Sequence, residues 1–132
     1  MHPTLGIIEG FYGPLWQWAE RRALLTRLQP YGYEFYWYAP KADRYLRRAW
    51  HEPHPPEVAG EIADFARWCD DRGIAFGIGL SPWEVFNHFD DQARRALADK
   101  LRDALKAKGR ITWHQQICER LVREHAARVL RR

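Results

Sequence analysis

Three short stretches of the sequence combine glycine, charged and aromatic residues: Glu9-Gly-Phe-Tyr-Gly13, Ala39-Pro-Lys-Ala-Asp43 and Ser81-Pro-Trp83. A lysine and two acids following apolar runs are costly to bury unless they are paired or contact a ligand. Gly10 lets the backbone approach a ligand closely. These residue types therefore indicate a site for a polar ligand. A structural alternative remains open, in which Gly10 and Gly13 shape a tight turn and Glu9 forms a salt bridge with Lys41.

The elements around these stretches alternate between strand and helix. Apolar runs predict strands at residues 4–8, 33–38 and 75–80, and helices follow at about 16–29, 58–69 and 90–109, with a last helix at about 113–130. The helix at 58–69 has the clearest apolar stripe: Val58, Ile62, Phe65, Ala66 and Cys69. Such alternation predicts parallel βα units, whose strand ends meet at one edge of the sheet. We expect an α/β fold, either a small doubly wound sheet or the first three βα units of a (β/α)8 TIM-type barrel plus a C-terminal helix.

Other polar residues receive structural interpretations. Asp90 and Asp91 precede an apolar-periodic stretch, so we interpret them as the cap and first turn of the third helix. His114 and His125 would lie about 16 Å apart along a helix, too far to share a metal. His51 and His54, in a proline-rich loop, are interpreted as surface histidines. We predict neither a metal site nor a cofactor.

Composition narrows the class of protein. The 132 residues carry a net charge of +4 and are 46% hydrophobic, which is typical of a globular chain. Residues 1–93 hold 9 Lys and Arg against 13 Asp and Glu, whereas residues 94–132 hold 12 against 4. The basic part has no nucleic-acid-binding motif, so we do not predict that partner. Cys69 and Cys118 are expected to be reduced thiols, no apolar run predicts a membrane span, and a cytoplasmic location is expected.

The three stretches carry a family resemblance. Gly6-Ile-Ile-Glu-Gly-Phe-Tyr-Gly-Pro-Leu-Trp16 resembles the opening signature of family 84 glycoside hydrolases, the β-N-acetylglucosaminidase, O-GlcNAcase or hyaluronidase type. The segment from Tyr38-Ala-Pro-Lys-Ala-Asp43 to Trp50 and the segment Gly77-Ile-Gly-Leu-Ser-Pro82 resemble the second and third segments of that family. The resemblance covers roughly residues 5 to 109, in the family's order and spacing.

The resemblance implies roles for individual residues. The glycine that matches Gly10 contacts the sugar through its backbone, and the lysine that matches Lys41 hydrogen-bonds the sugar hydroxyls. Asp43 matches the second acid of a pair whose first acid is Ala42 here, and Trp83-Glu-Val departs from the family's Gly-Leu-Asp. We add Tyr12 as an aromatic residue of the same rim. The expected substrate-binding residues are therefore Gly10, Tyr12, Lys41 and Asp43, and the expected partner is a glycan or glycoprotein that contains β-linked N-acetylglucosamine.

The resemblance also implies catalytic residues that the sequence does not supply. In the family the acetamido oxygen of the substrate attacks the anomeric carbon, assisted by two adjacent aspartates at the end of strand 4. No acid occurs between Asp103 and Glu119. We therefore expect residues 1–109 to be the N-terminal part of the catalytic barrel, residues 110–132 to be a divergent basic helical tail, and the chain to be truncated and inactive alone. The alternatives are a non-catalytic sugar-binding module and a basic interaction module. An incomplete sheet predicts self-association through its exposed edge.

Overall fold

The computed structural model describes residues 4–85, 87 and 89–108. Its elements are β1 (Leu5–Glu9), α1 (Trp18–Leu28), a 3-10 turn (Gln29–Tyr31), β2 (Tyr33–Tyr38), a second 3-10 turn (Arg44–Leu46), α2 (Pro56–Asp70), β3 (Ala75–Ile78) and α3 (Asp91–Lys108). The expected helix at 113–130, with His114, His125 and Cys118, lies outside the described residues, as does the tail at 110–132. No helix among the described residues is long and apolar enough to cross a membrane.

The three strands form one parallel sheet in the order β1-β2-β3. Ile7 pairs with Tyr36, and Tyr36 in turn pairs with Phe76. Leu25 of α1 and Phe65 of α2 belong to the same buried cluster as Tyr36, so both helices cover the same face of the sheet. Sequential strand order with crossover helices on one face is the arrangement of a barrel and not of a doubly wound sheet. The fold is therefore α/β, with three successive βα units of the barrel type.

Most helix boundaries follow their sequence signals. The stripe on α2 is confirmed, because Ile62, Phe65, Ala66 and Cys69 are buried. At the start of α3 the Asp90 Oδ1 atom accepts a hydrogen bond from the Ala93 N–H at 2.8 Å, which confirms Asp90 as a cap.

Two strand boundaries differ from the expectation. β1 extends to Glu9, because the carboxylate of that residue has buried partners that allow it to stay within the strand. β3 ends at Ile78 and not at residue 80. Beyond it, the Ser81 N–H donates to the Leu46 carbonyl at 2.9 Å, so the chain has left the sheet to contact the loop that follows β2.

On the face of the sheet away from α1 and α2, aromatic side chains of β2 pack against glycines of β1 and β3. A Cβ atom on Gly6 would lie 2.3 Å from the Phe35 ring, and one on Gly77 would lie 2.4 Å from the Trp37 ring. The aromatic rings of β2 therefore lie over glycines of the two neighbouring strands. A side chain larger than hydrogen at Gly6 or Gly77 would collide with these rings.

Candidate functional site

The carboxyl ends of the three strands meet at one rim, as their parallel order requires. Backbone hydrogen bonds tie the loops of this rim to one another. The Lys41 N–H donates to the Phe11 carbonyl at 3.4 Å, which joins the loops after β1 and β2. The Trp83 N–H donates to the Arg47 carbonyl at 3.1 Å, which joins the loops after β2 and β3. The three stretches singled out in the sequence therefore form one continuous surface.

Glu9 does not pair with Lys41, so the salt bridge in that structural alternative is wrong, whereas Gly13 does have the positive φ, 146°, of a turn glycine. The Glu9 carboxylate accepts hydrogen bonds from Arg21 Nε at 2.8 Å and Arg21 Nη2 at 2.6 Å, and a third from the Tyr36 hydroxyl. Glu9 and Arg21 are each 1% exposed. Burial opposes the charge on Arg21, but the hydrogen bond and the charge of Glu9 outweigh it and raise the pKa of Arg21 above its usual value. The acid at the end of β1 thus holds α1 against the sheet.

The Lys41 ammonium forms no ion pair with Glu9. Lys41 is half-buried on the rim, and no carboxylate among residues 4–85, 87 and 89–108 forms an ion pair with it. Its backbone is held on both sides, because its N–H donates to Phe11 and its carbonyl accepts from Arg47 Nη1 at 3.3 Å. A cation with a fixed backbone and without a protein counter-charge is suited to donate hydrogen bonds to a ligand.

Asp43 is buried beneath the rim, where it is 4% exposed. Its Oδ2 atom accepts a hydrogen bond from the Tyr38 hydroxyl and contacts His54 Nε2, each at 2.9 Å, and Oδ1 accepts from the Tyr45 N–H at 2.9 Å. Burial favours the neutral form, but the hydrogen bond and charge of His54, with the bonds from Tyr38 and Tyr45, lower the pKa of Asp43 below its usual value. Protein groups thus occupy both oxygens of the predicted ligand-binding acid.

The interpretation of His54 as a surface residue is wrong. Its side chain is 10% exposed, whereas the side chain of His51 is 56% exposed. The ring of His54 also lies 5.2 Å from that of Tyr45. A loop has no periodicity from which burial can be predicted, so the sequence could not separate the two histidines. Leu46, Ala49 and Trp50 of the same loop are buried too, and the stretch between β2 and α2 is well packed despite its polar composition.

Gly10 and Tyr12 lie on the open side of the rim. A Cβ atom on Gly10 would make only ordinary contact, 3.7 Å from Ile8 Cγ2. The protein itself therefore leaves room for a side chain at this position, and the turn does not require glycine there. Tyr12 is 78% exposed, and the Arg47 guanidinium carbon lies 5.5 Å from its ring centroid.

Arg47 and Trp83 are rim residues that the sequence did not single out as binding residues. The Arg47 guanidinium carbon lies 5.5 Å from the Trp83 ring centroid as well, so this side chain spans from the loop after β1 to the loop after β3. The run of basic residues between Lys41 and Trp50 was the feature of the sequence that could have indicated a binding role for Arg47. Within the described part of the chain, no group of three His, Cys, Asp or Glu residues could hold a metal ion.

The fold and the rim place the chain among the (β/α)-barrel proteins whose ligands bind at the carboxyl ends of the strands. A family model described as beta-N-acetylglucosaminidase matches residues 5–111. The chain belongs to this family.

Individual relatives agree with the assignment. The chain is 35% identical to the Protein O-GlcNAcase of Rattus norvegicus over 77 residues, which is 58% of this chain and 8% of the relative, and the figures for the Mus musculus protein are the same. Among solved structures, a mutant of the Thermobaculum terrenum O-GlcNAc hydrolase has a TM-score of 0.72 at 31% identity, covering 79% of this chain and 22% of that one. A second solved structure, CpGH84B, has a TM-score of 0.71 at 26% identity, and the match covers 79% of this chain and 19% of the CpGH84B chain. The chain thus spans less than a quarter of each of these relatives.

Proposed function

We propose that the rim formed by Gly10, Tyr12 and Lys41 is the sugar-binding part of a β-N-acetylglucosaminidase-type site. Its ligand is a β-linked N-acetylglucosamine residue of a glycan or glycoprotein. The observation that carries the proposal is the Lys41 ammonium, which lies on the rim without a carboxylate partner among the described residues. Because its backbone is hydrogen-bonded on both sides, Lys41 can donate to sugar hydroxyls without first ordering its loop.

Gly10 supports the same interpretation from the other side of the rim. The backbone there can be approached closely, since no side chain of the described protein occupies the space that a Cβ would take. A pyranose ring placed between Gly10 and Lys41 would receive hydrogen bonds to its hydroxyls from the lysine. The exposed ring of Tyr12 offers it an apolar face.

Asp43 enters the proposal as a positioning residue. With both carboxylate oxygens bonded to protein groups, it fixes the loop that carries Lys41. This differs from a direct contact between Asp43 and the sugar.

Hydrolysis by the 132-residue chain alone is expected to be very weak. The family resemblance implies a pair of aspartates, one to orient the acetamido group and one to act as general acid and base. Asp90 has the right type but caps α3, and Asp91 forms an ion pair with Arg94. Neither is placed at the end of a strand.

Binding and hydrolysis are tested separately. Titration of the intact chain with N-acetylglucosamine, followed by tryptophan fluorescence or by chemical-shift changes, should show millimolar binding that Lys41→Met removes. Arg27→Met is the matched control, because it deletes one positive charge from an exposed position on the last turn of α1. Binding that is equal in wild type and Lys41→Met contradicts the proposal. Release of a chromogenic aglycone from an N-acetylglucosaminide at ordinary glycosidase rates, abolished by Asp90→Asn, contradicts the expectation for hydrolysis.

A further inference from the structure

One residue of the loop after β3 has a backbone conformation that its residue type disfavours. Glu84 has a φ of 58°, in the left-handed region, and the other positive φ angles among the described residues belong to glycines. The conformation is unfavourable for any residue with a Cβ atom, and glycine adopts it without that cost. A glutamate held there indicates a use for its side chain that outweighs the strain.

The residues on either side of Glu84 hold it in this conformation. Before it, the Trp83 N–H donates to the Arg47 carbonyl at 3.1 Å. After it, Val85 is 5% exposed and belongs to a small buried cluster with residues of the loop after β2 and of α3. The Glu84 carbonyl accepts a hydrogen bond from the Asn87 N–H at 3.0 Å. The exposed glutamate side chain is therefore attached to the strand-end rim through an anchored backbone.

The Glu84 carboxylate is also uncommitted. It forms no ion pair and no side-chain hydrogen bond with residues 4–85, 87 and 89–108. The other described acids at the strand ends and in the loops that follow them have partners: Arg21 for Glu9, His54 for Asp43, Arg44 and His51 for Glu52, and the start of α3 for Asp90. Within the described part of the rim, Glu84 thus supplies the carboxylate that remains available to a ligand.

The cations of the rim make such a group useful. Lys41, Arg47 and Arg48 can donate hydrogen bonds but cannot accept them. A sugar hydroxyl donates a hydrogen bond as well as accepting one, so cationic side chains alone would leave the hydroxyl protons of a bound pyranose without a partner. A polar group that loses water without gaining a partner weakens binding. A carboxylate is an acceptor only, and its two oxygens can accept from neighbouring hydroxyls.

We propose that Glu84 is a sugar-binding residue of the rim, whose carboxylate accepts hydrogen bonds from hydroxyl groups of the N-acetylglucosamine that Lys41 recognises. This rests on the proposed function, because it adds an acceptor to the same site. Trp83-Glu-Val is also the stretch that departs from the Gly-Leu-Asp of the family's third segment. The contact therefore distinguishes this chain from relatives that carry that segment.

Two variants separate the carboxylate from the strain. Glu84→Ala removes the carboxylate and keeps a Cβ atom in the left-handed region, whereas Glu84→Gly removes both. We expect each variant to bind N-acetylglucosamine about tenfold more weakly than wild type, the low end for a hydrogen bond to a charged group. The thermal unfolding midpoint of Glu84→Gly should lie about 3–6 °C above that of Glu84→Ala. The matched control is Glu34→Ala, which removes an exposed carboxylate at the amino end of β2, away from the rim, and should bind as wild type does.

Ligand analogues test the direction of the hydrogen bond. In a series of N-acetylglucosamine derivatives, each hydroxyl in turn is replaced by fluorine, which cannot donate. At least one derivative should bind wild type and Glu34→Ala less tightly than the parent sugar, and this penalty should shrink in Glu84→Ala. Equal affinity of wild type and Glu84→Ala for the parent sugar, or an equal fluorine penalty in the two proteins, overturns the role of Glu84 and leaves the proposed function standing. Failure of wild type to bind N-acetylglucosamine, or binding that survives Lys41→Met, overturns the proposed function itself.

Discussion

The buried ion pair between Glu9 and Arg21 should be strongly coupled, and the coupling can be measured. Both residues are 1% exposed, so water screens the pair very little. Arg21→Met removes two of the three hydrogen bonds to the Glu9 carboxylate and leaves that charge buried with only the Tyr36 hydroxyl. Breaking a buried pair in this way costs about 3–5 kcal/mol of unfolding free energy.

Glu9→Gln should cost less, about 2–3 kcal/mol, because the remaining cation keeps other partners. Arg21 Nη1 still donates to the Trp16 carbonyl at 2.5 Å. The guanidinium carbon still lies 4.3 Å from the Trp18 ring centroid and 5.1 Å from that of Tyr38. The glutamine oxygen can still accept from Tyr36, so no buried hydroxyl is left without a partner.

The double variant Glu9→Gln/Arg21→Met leaves neither charge of this pair buried and should be about as stable as Glu9→Gln alone. The cycle therefore predicts a coupling energy of about 3–5 kcal/mol between the two side chains, equal to the cost of Arg21→Met alone. The measurement is urea unfolding of the four proteins, followed by far-UV circular dichroism at one pH and salt concentration. Additivity within about 0.5 kcal/mol would refute the reasoning, since independent sites behave in that way. Should Arg21→Met not fold without urea, a double variant that folds again would carry the same information.

Three further predictions follow from buried or crowded positions. The pKa of Asp43 is lowered in the folded protein, so its carboxylate stabilises the fold at pH values above its ordinary pKa of 3.8, and this contribution is lost as pH falls through the lower pKa of the folded state. The acid limb of a curve of unfolding free energy against pH should therefore be shallower in Asp43→Asn than in wild type. An identical acid limb would contradict this. Burial raises the pKa of the Cys69 thiol to about 12. In a Cys118→Ser variant, where Cys69 is the remaining thiol, iodoacetamide at neutral pH should therefore label the protein only after unfolding. Fast labelling of the native protein would contradict this. Gly77→Ala places a methyl group 2.4 Å from an aromatic ring of β2 and should lower the free energy of unfolding by about 1–3 kcal/mol. Its control is Gly60→Ala, which lies in open space within α2 and should raise the free energy of unfolding by about 0.5–1 kcal/mol. Thermal unfolding of the two variants distinguishes these opposite signs.

Local patterns in the sequence were sufficient to predict the framework. The stripe on α2 and the cap at Asp90 depend on residues within a few positions of one another, and both are present. The meeting of the three strand ends also followed, because parallel order alone brings them to one edge. Strand ends were less predictable, since they depend on contacts with distant loops, as the bond from Ser81 to Leu46 illustrates.

The partner of Glu9 had a signal in the sequence that spacing alone could have found. Trp18, Arg21 and Leu25 recur at i, i+3 and i+7, so Arg21 lies on the apolar stripe of α1 and must be buried with a counter-charge. Lys41, by contrast, follows a strand and lies on an open rim. The bare sequence gives two candidate cations for one acid, and helical periodicity favours the one on the helix.

Hydrogen bonds hold the loop after β2, which carries Lys41, and their partners show how much of the chain is needed to position that lysine. Lys41 is bonded at its N–H by the loop after β1 and at its carbonyl by Arg47, while Asp43 anchors the next turn through Tyr38 and His54. Every one of these partners comes from β1, β2 or the loops that follow them, and none comes from α3 or beyond. The direct contacts that hold Lys41 and Asp43 therefore lie within residues 5–54, and Arg47 is held in turn by the Trp83 N–H. Sugar binding through Lys41 should accordingly be sensitive to Asp43→Asn and insensitive to substitutions on the exposed side of α3, such as Arg102→Gln.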